Sequence, residues 1–275
     1  MKKYVKFVAL FFGLFLVMSL SGCTNVKKKA DTTDTWSQIV AKKKVVIGLD
    51  DSFVPMGFRE KNGKLVGYDI DLAKAVFKLY GITPDFQTID WSMKETELRN
   101  QTIDLIWNGY TKTTSRAKNV AFSDPYLTNE QVLVTKTAQN ITSTADMKGK
   151  ILGLQSGSSG YQAYIDQPKV LKQYVKEAIQ YDTFNNAFMD LDANRIQGLL
   201  IDSVYANYYI SHKSDPSSYR TVKTGFASES FVVGMRKGDK TLRKKINRAL
   251  KILKENGTID RLNKKWFGTT NTNTN

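Results

Sequence analysis

The sequence predicts an α/β protein whose sheets are largely parallel. Short apolar runs of strand length, such as 45–49 and 198–201, alternate along the chain with segments whose apolar residues recur at helical spacing. The composition is that of a globular protein, with 41% hydrophobic and 24% charged residues among 275. Strands that alternate with helices are typical of parallel sheets covered by helices.

The predicted elements fall into two series of similar order. The first comprises a strand at 45–49, a hairpin-like turn at Gly63, a helix at 70–80 that Gly81 ends, a strand at 85–87, a helix at 94–100 and strands at 103–107 and 132–134. The second comprises strands at 151–154, 178–181 and 198–201, helices at 160–165, 184–193 and 204–210, an apolar segment at 231–233, and helices at 242–256 and 259–267. The length suits one large domain or two domains of moderate size, each able to bury its own core.

The N-terminus reads as a targeting segment. Lysines precede an uncharged run at 7–20, which is shorter than the roughly 20 residues of a membrane span, and small residues lead to Cys23. The segment resembles a bacterial lipoprotein signal with its lipobox. The resemblance implies a signal peptide at 1–22 and a mature Cys23 that carries a diacylglyceryl group and palmitate. The alternative is an ordinary signal or short anchor helix with an incidental cysteine.

Polar segments flank the predicted globular body. Residues 23–35 are predicted to be a flexible tether and 269–275 a disordered tail. The formal charge is +15, but the basic clusters, such as 42–44 and 243–245, are far apart. For an exported protein, this pattern favours a solvated surface near anionic lipid or wall polymer over nucleic-acid binding.

Residue counts exclude several kinds of chemistry. The chain has one cysteine and one histidine, His212, which excludes an internal disulfide framework, a cysteine-rich zinc site and a multi-histidine metal site. We therefore expect neither a metal nor a cofactor. Acid–base enzymes that depend on several histidines are excluded as well.

Five stretches resemble the extracellular solute-binding proteins of polar amino-acid ABC transporters. In order, they are GLDDSFVPMGF (48–58), GYDIDLA (67–73), IDLIWNGYTKTTSR (103–116) running on to FSDPY (122–126), GLQSGSS (153–159) and GLLID (198–202). NGT (256–258) and KWFG (265–268) close the pattern. Each motif alone is weak, but their order and spacing over about 220 residues make the resemblance specific.

The resemblance implies a two-lobed periplasmic-binding-protein-like fold of type II. Lobe one would comprise 36–133 and the return segment 229–268, and lobe two 134–228. Two crossover strands, near 132–134 and 231–233, would join them. The ligand would lie in the cleft between the lobes, where α/β proteins commonly bind small molecules.

The predicted site residues suit an α-amino acid. Arg116 would pair with the ligand carboxylate through its planar fork, and Ser158 and Ser159 would add hydroxyl and N–H donors at the start of a helix. Asp202 follows a strand and would neutralise the ammonium; its alternative is a helix cap. By the resemblance, Thr111 and the Gly109 carbonyl complete these contacts.

Three further residues are predicted to meet the ligand side chain. By the resemblance, Asp50 accepts a hydrogen bond there, which disfavours an acidic ligand and slightly favours glutamine, with cystine, arginine and histidine left open. Phe53 and Trp91 would sandwich an aliphatic or amide stem; for both, lobe-one core is the alternative. The charged segment after Trp91 also offers Lys94 or Glu95 as contacts.

The predicted function is capture of a polar amino acid for import. The resemblance implies a lipid-anchored monomer on the extracytoplasmic face of the membrane, in a Gram-positive bacterium. It would deliver its ligand to a permease and, through the permease, have an ATPase as an indirect partner. The resemblance also implies a protein that is not an enzyme. The alternatives on this fold are a cyclohexadienyl dehydratase-like enzyme and a surface adhesin.

Overall fold

Two α/β lobes, each built on a five-stranded sheet, form the described part of the chain. The computed structural model describes residues 28–269. The predicted signal peptide 1–22, the predicted lipidation residue Cys23 and residues 270–275 of the predicted tail lie outside the described residues. The predicted α/β class is confirmed.

The predicted strands and helices agree well with those of the structure. The strands are β1 (Lys44–Leu49), β2 (Ser52–Phe53), β3 (Gly57–Arg59), β4 (Leu65–Val66), β5 (Thr83–Thr88), β6 (Leu105–Ile106), β7 (Ala121–Phe122), β8 (Leu127–Asn129), β9 (Gln131–Lys136), β10 (Ile151–Gln155), β11 (Glu177–Tyr181), β12 (Gly198–Asp202), β13 (Tyr219–Lys223), β14 (Glu229–Phe231) and β15 (Gly234–Met235). The α-helices from residue 36 onward are α1 (Trp36–Lys42), α2 (Tyr68–Lys78), α3 (Lys94–Arg99), α4 (Thr114–Ala117), α5 (Ser159–Asp166), α6 (Phe184–Asp192), α7 (Ser203–Ser211), α8 (Lys240–Glu255) and α9 (Thr258–Phe267). Short 3₁₀ turns occupy Trp91–Met93, Thr137–Gln139, Thr144–Met147 and Pro216–Ser218.

The two sheets have the same pattern of parallel and antiparallel strands. The first has the order β5-β1-β6-β15-β7, and the second β11-β10-β12-β9-β13. In each, three parallel strands are followed by an antiparallel strand that comes from another part of the chain. The carboxyl ends of the parallel strands therefore form one edge of each sheet, and polar side chains beyond them collect there.

Amphipathic helices cover the sheets because their apolar residues lie on one stripe. In α8, the buried residues Leu242, Ile246, Ala249 and Leu253 repeat at helical spacing. The exposed side of this helix carries lysine and arginine side chains. Part of the basic excess, which appears scattered in the sequence, therefore lies on one exposed helix face of the first lobe.

Two short strands connect the lobes. β8 and β14 pair antiparallel, with Asn129 opposite Glu229. The first crossover was expected near 132–134, and this position is wrong. Those residues lie inside β9, a central strand of the second sheet that is buried between β12 and β13. An apolar strand is stable inside a sheet because both of its faces are buried. The crossover is the short strand β8, which comes just before β9 in the chain.

The segment before α1 is folded, which differs from the predicted flexible tether at 23–35. Residues 28–32 form a helical turn, and the Ala30 carbonyl accepts from the Gly238 N–H at 3.0 Å. Thr35 donates to Asp239 Oδ1 from both its backbone N (2.8 Å) and its hydroxyl (2.7 Å). Residues 28–35 therefore belong to lobe one.

A buried arginine ties this segment to the sheet. The Arg236 side chain is 1% exposed and forms ion pairs with Asp104 and Asp239, each at 2.9 Å. The Arg236 guanidinium also donates to the Ile103 carbonyl (2.7 Å) and the Thr35 hydroxyl (3.1 Å). A charge this deeply buried is stable only when such partners replace the water that it loses.

We predict that Asp239→Asn lowers the free energy of unfolding by about 3 kcal/mol, because it leaves the buried Arg236 with one fewer counter-charge. Chemical denaturation measures this change. The matched control is Glu255→Gln, whose carboxylate pairs with Lys251 at 3.8 Å on an exposed surface. It should change stability by less than about 0.5 kcal/mol. Equal effects of the two substitutions would contradict a structural role for the buried pair.

Candidate functional site

The strand ends of the two lobes meet at the interface between the lobes. Asp50 follows β1 in lobe one, and Gln155 is the last residue of β10 in lobe two. The Gln155 side-chain amide donates to Asp50 across the interface, with Nε2 2.9 Å from Oδ2. The lobes are thus closed on each other, and the predicted site residues lie in or beside this interface.

Arg116 is held rigidly at the lobe-one side of the interface. Thr113 caps the short helix α4 by accepting a hydrogen bond from the Arg116 N–H at 3.1 Å, which fixes the arginine backbone. The guanidinium donates to the Thr111 carbonyl at 2.8 Å and, across the interface, to the Gly157 carbonyl at 3.1 Å. It also lies 4.4 Å from the centre of the Tyr110 ring. Because a guanidinium has five N–H donors, it keeps capacity for an anion.

The two predicted serines have different surroundings. The Ser158 hydroxyl caps helix α5 by accepting from the Tyr161 N–H at 3.0 Å. The Ser159 hydroxyl instead faces lobe one, where its oxygen lies 3.2 Å from the Thr111 hydroxyl. Both serines are buried. Ser159 is therefore the one that shares the interface directly with Thr111.

Asp202 faces the interface and does not cap the helix that follows it. It precedes α7, but its side chain makes no capping hydrogen bond there. Its Oδ1 instead accepts from the side-chain amides of Asn129 (2.5 Å) and Gln131 (2.9 Å). Burial raises the pKa of Asp202 to about 8, and the nearby carboxylate of Glu229 adds to the increase. The cap alternative considered for Asp202 does not describe this geometry.

Glu229 is a site residue that the sequence analysis missed. It begins the crossover strand β14 and lies outside the motifs that carry the resemblance. Its Oε2 accepts from Thr111 of lobe one at 3.1 Å and from Ser159 of lobe two at 3.2 Å. The sequence offered one indication, which is that this carboxylate lies next to a predicted crossover. Its position in the cleft, however, depends on how the two lobes pack.

Asp50 is buried and hydrogen-bonded. Its Oδ1 accepts from the Ser52 N–H (2.9 Å) and hydroxyl (2.6 Å), while Oδ2 accepts from Gln155. Burial raises the pKa of Asp50, and these hydrogen bonds oppose the increase. The neighbouring Asp51 points elsewhere and pairs with Arg59 at 2.6 Å.

Phe53 and Trp91 lie in separate aromatic clusters. Phe53 packs against Phe184 and Tyr205 of lobe two, with ring centres 5.9 and 5.4 Å apart. Trp91 packs edge-on against Tyr110 at 6.1 Å, within the core of lobe one. Phe53 therefore contributes to lobe contact. The Phe53 and Trp91 rings are not in direct contact, so the aliphatic or amide stem of a ligand would have to extend from one ring to the other.

Gly109 allows a close backbone approach in the site. Its φ is +56°, and a Cβ at this position would lie 2.7 Å from the Phe53 ring. Its N–H donates to the fully buried Asp69 carboxyl at 2.7 Å, which also accepts from the Tyr126 hydroxyl at 3.0 Å. Burial raises the pKa of Asp69 to about 7. Through its hydrogen bond to the Gly109 N–H, Asp69 holds the start of the segment from Gly109 to Thr111 in place.

Lys94 connects the lobes beside Arg116. Its ammonium donates to the Trp91 carbonyl (2.9 Å) and, across the interface, to the Gly157 carbonyl (2.8 Å). Burial and the nearby Arg116 charge lower the pKa of Lys94 to about 8. Glu95 lies 3.3 Å from Lys94 and 3.4 Å from Arg116, so it neutralises part of this cationic cluster. These contacts hold the Lys94 ammonium between the two lobes, where its hydrogen bonds go to protein carbonyls.

Metal and membrane features are both lacking among residues 28–269. In this part of the chain, no group of three His, Cys, Asp or Glu side chains is placed to hold a metal ion. None of its helices has the length and apolarity needed to cross a bilayer.

Two lobes that close over groups of opposite charge define a protein that encloses a small polar ligand. Arg116 supplies the positive charge, and Asp202 with Glu229 the negative charge. The chain belongs to the bacterial extracellular solute-binding proteins, family 3, which it matches over residues 45–269. The predicted type II two-lobed fold is thereby confirmed.

Several characterised proteins are similar to this chain over most of its length. A substrate-binding protein of an ABC uptake transporter from Streptococcus pneumoniae, solved with bound histidine, is 51% identical; the match covers 88% of this chain and 99% of that one, with a TM-score of 0.86. The arginine-binding extracellular protein ArtP of Bacillus subtilis (strain 168) is 28% identical over 92% of this chain and 97% of its own. The L-cystine-binding protein TcyJ of Escherichia coli (strain K12) is 28% identical over 93% and 94%.

Proposed function

We propose that this protein captures a polar amino acid between its lobes and delivers it to an ABC transporter permease for import. The observation that carries the proposal is that opposite charges lie on the two sides of the cleft. Arg116 lies in lobe one, and Asp202 lies at the end of a lobe-two strand. A zwitterion presents a carboxylate and an ammonium a few ångström apart, which matches such a pair. The names of the similar proteins, which bind histidine, arginine and cystine, support the ligand class.

The ligand main chain would bind both lobes. In this proposal, the carboxylate binds Arg116 through a charge-assisted, two-pronged contact, and the hydroxyls of Thr111 and Ser159 contribute from opposite sides. The ammonium binds the Asp202 carboxylate and the Gly109 carbonyl. Ser158 orders the start of α5 and supplies its N–H group. Because groups from both lobes bind the zwitterion, the ligand favours the closed arrangement over the open one.

The ligand side chain would lie near Asp50, Phe53 and Trp91. The buried Asp50 carboxylate repels an acidic side chain and accepts hydrogen bonds from an amide or a cationic one. Glutamine is the favoured candidate from the sequence. Arginine and histidine are supported by the ligands in the names of similar proteins, and cystine is the remaining candidate.

The proposal treats the protein as a binding protein and not as an enzyme. Its relatives are substrate-binding proteins of transporters, which favours this interpretation over a dehydratase or an adhesin. We propose that it acts as a monomer on the extracytoplasmic face of a Gram-positive cell membrane. Lipid attached to Cys23 would anchor it there, since two acyl chains suffice for stable attachment. The permease would receive the ligand, and the ATPase would be a partner through the permease.

The experiment that tests the function is a thermal-shift screen against the proteinogenic amino acids and cystine. A ligand present at a hundredfold excess over its dissociation constant should stabilise the protein by about 2.7 kcal/mol. Stabilisation by one or a few polar amino acids is the expected result. If none of them stabilises the protein, amino-acid capture is contradicted.

We predict that Arg116→Ala weakens amino-acid binding by at least about thirtyfold, because truncating one partner of a buried charge pair costs roughly 2–5 kcal/mol. Calorimetry with the ligand found in the screen measures the loss. The matched control is Arg248→Ala, on the exposed face of α8, which should bind as tightly as the wild type. Unchanged affinity in Arg116→Ala would show that another group holds the carboxylate.

We predict that Asp50→Asn changes which side chains are accepted and leaves the main-chain contacts in place. Affinity for glutamate should rise relative to glutamine and arginine, because the repelling charge is removed. Calorimetry with glutamine, arginine, cystine and glutamate measures the ranking. An unaltered ranking would mean that Asp50 does not line the side-chain pocket.

We predict that Cys23→Ala prevents lipid attachment, since the chain has no other cysteine. The variant should be released to the medium or remain unprocessed in the native host. Metabolic labelling with palmitate measures attachment, and an alanine change at the neighbouring Thr24 serves as the control. Normal labelling of Cys23→Ala would contradict the anchor.

A further inference from the structure

A second carboxylate stands beside Asp202 in the cleft. Glu229 lies on the crossover strand β14, and its Oε2 is within hydrogen-bond distance of side chains from both lobes and from the interlobe connection. The four donors are the Thr111 hydroxyl (3.1 Å), the Asn129 amide (3.1 Å), the Gln131 amide (3.0 Å) and the Ser159 hydroxyl (3.2 Å). Such a set of donors holds the carboxylate oxygen in one place between the lobes.

Asp202 and Glu229 share two of these donors. The Asn129 amide nitrogen lies 2.5 Å from Asp202 Oδ1 and 3.1 Å from Glu229 Oε2. The Gln131 amide nitrogen lies 2.9 Å and 3.0 Å from the same two oxygens. Two neutral amides thus bridge two carboxyl groups, and the amides supply hydrogen bonds but no positive charge. Carboxylates this close repel each other, so they form one coupled acidic pair.

We propose that Glu229 and Asp202 together form the ammonium site, and that the entering ammonium displaces one proton from this pair. The inference rests on the proposed amino-acid function and adds Glu229 and a proton to it. Without ligand, the pair carries one proton and a single negative charge. With the ligand ammonium bound between them, both groups are ionised, and the proton passes to the solvent.

The charges around the pair support this exchange. Burial and the Glu229 carboxylate raise the pKa of Asp202, which favours a bound proton in the ligand-free state. Arg116, which acts from the lobe-one side, lowers the pKa of Asp202 but does not offset the other effects. Arg116 is itself partly neutralised by Glu95 at 3.4 Å. A cation placed between the two carboxylates favours their ionised forms and so releases the proton.

The sign of the pH dependence follows. Below the pKa of Asp202, binding must remove its proton, so affinity rises as the pH rises from 6 to 8. For one proton, the increase is at most tenfold per pH unit. A ligand-free pair with no bound proton would give no such dependence.

Calorimetry in buffers of different ionisation enthalpy tests the proposal. L-glutamine and L-arginine are the probes, because neither side chain titrates near pH 7. In phosphate and in Tris at pH 7, the apparent enthalpy of wild-type binding should differ by the amount that corresponds to release of up to one proton. In Glu229→Gln, proton release should fall below the wild-type value, because Asp202 loses the neighbouring charge that adds to the effect of burial on its pKa.

The matched control is Glu130→Gln. Glu130 lies between Asn129 and Gln131 in sequence, but its side chain is exposed. The same chemical change at this position should leave proton release at the wild-type value. Binding enthalpies that do not depend on the buffer in the wild-type protein, or proton release that Glu229→Gln leaves intact, would overturn the inference.

A measurement without ligand separates this inference from the proposed function. In protein with ¹³C-labelled aspartate carboxyl groups, one carboxyl signal should titrate near pH 8 and move to lower pH in Glu229→Gln. Asp202→Asn assigns this signal and separates it from Asp69, whose pKa burial raises to about 7. If this titration is found but neither probe binds, only the ligand assignment fails. If no such titration is found, the coupled pair is refuted, whatever the protein binds.

Discussion

Burial of charged groups between two lobes is the constraint on which this structure depends. Arg116, Lys94, Asp50 and Asp202 all lie in or beside an interface that largely excludes water. Charges removed from water need partners, and here many of the partners come from the opposite lobe. Lobe closure and the filling of the site are therefore linked, because closure adds the opposite-lobe partners of Arg116, Lys94 and Asp50.

The sheets supply this arrangement directly. In both lobes, three parallel strands end at the same edge, and the two edges face each other. The crossover pair β8 and β14 lies at the base of the cleft and contributes Asn129 and Glu229. The connection between the lobes therefore also carries polar groups of the candidate site. Ligand binding and lobe movement can then affect each other through these strands.

Much of the fold could be predicted from the sequence, because strands such as β1 and β10 are uninterrupted apolar runs and helices such as α8 have a clear apolar stripe. The crossover was predicted too late in the chain, since the apolar residues 132–134 belong to a buried strand. The short strand β7 was not among the predicted strands, because two residues are too few to show a period. The packing of residues 28–35 against lobe one was also not predicted. Their hydrogen-bond partners Arg236 and Asp239 lie about 200 positions away in sequence.

The site was predicted where a motif fixes the backbone locally. Arg116 after its capping threonine and Asp202 at a strand end lie at the interface for this reason. Glu229 depends on the packing of two lobes around paired crossovers, which no local pattern encodes. The different positions of Ser158, which caps a helix, and Ser159, which faces lobe one, likewise depend on the exact start of α5.

The central claim is that both ends of a zwitterion are held, one by each lobe. Calorimetry of the best amino-acid ligand against its Nα-acetyl and its α-carboxamide derivatives tests it most directly. The account predicts that each derivative binds at least about a hundredfold more weakly, a loss of roughly 2.7 kcal/mol, since each leaves one buried charge unpaired. A derivative that binds as tightly as the parent amino acid would contradict the account.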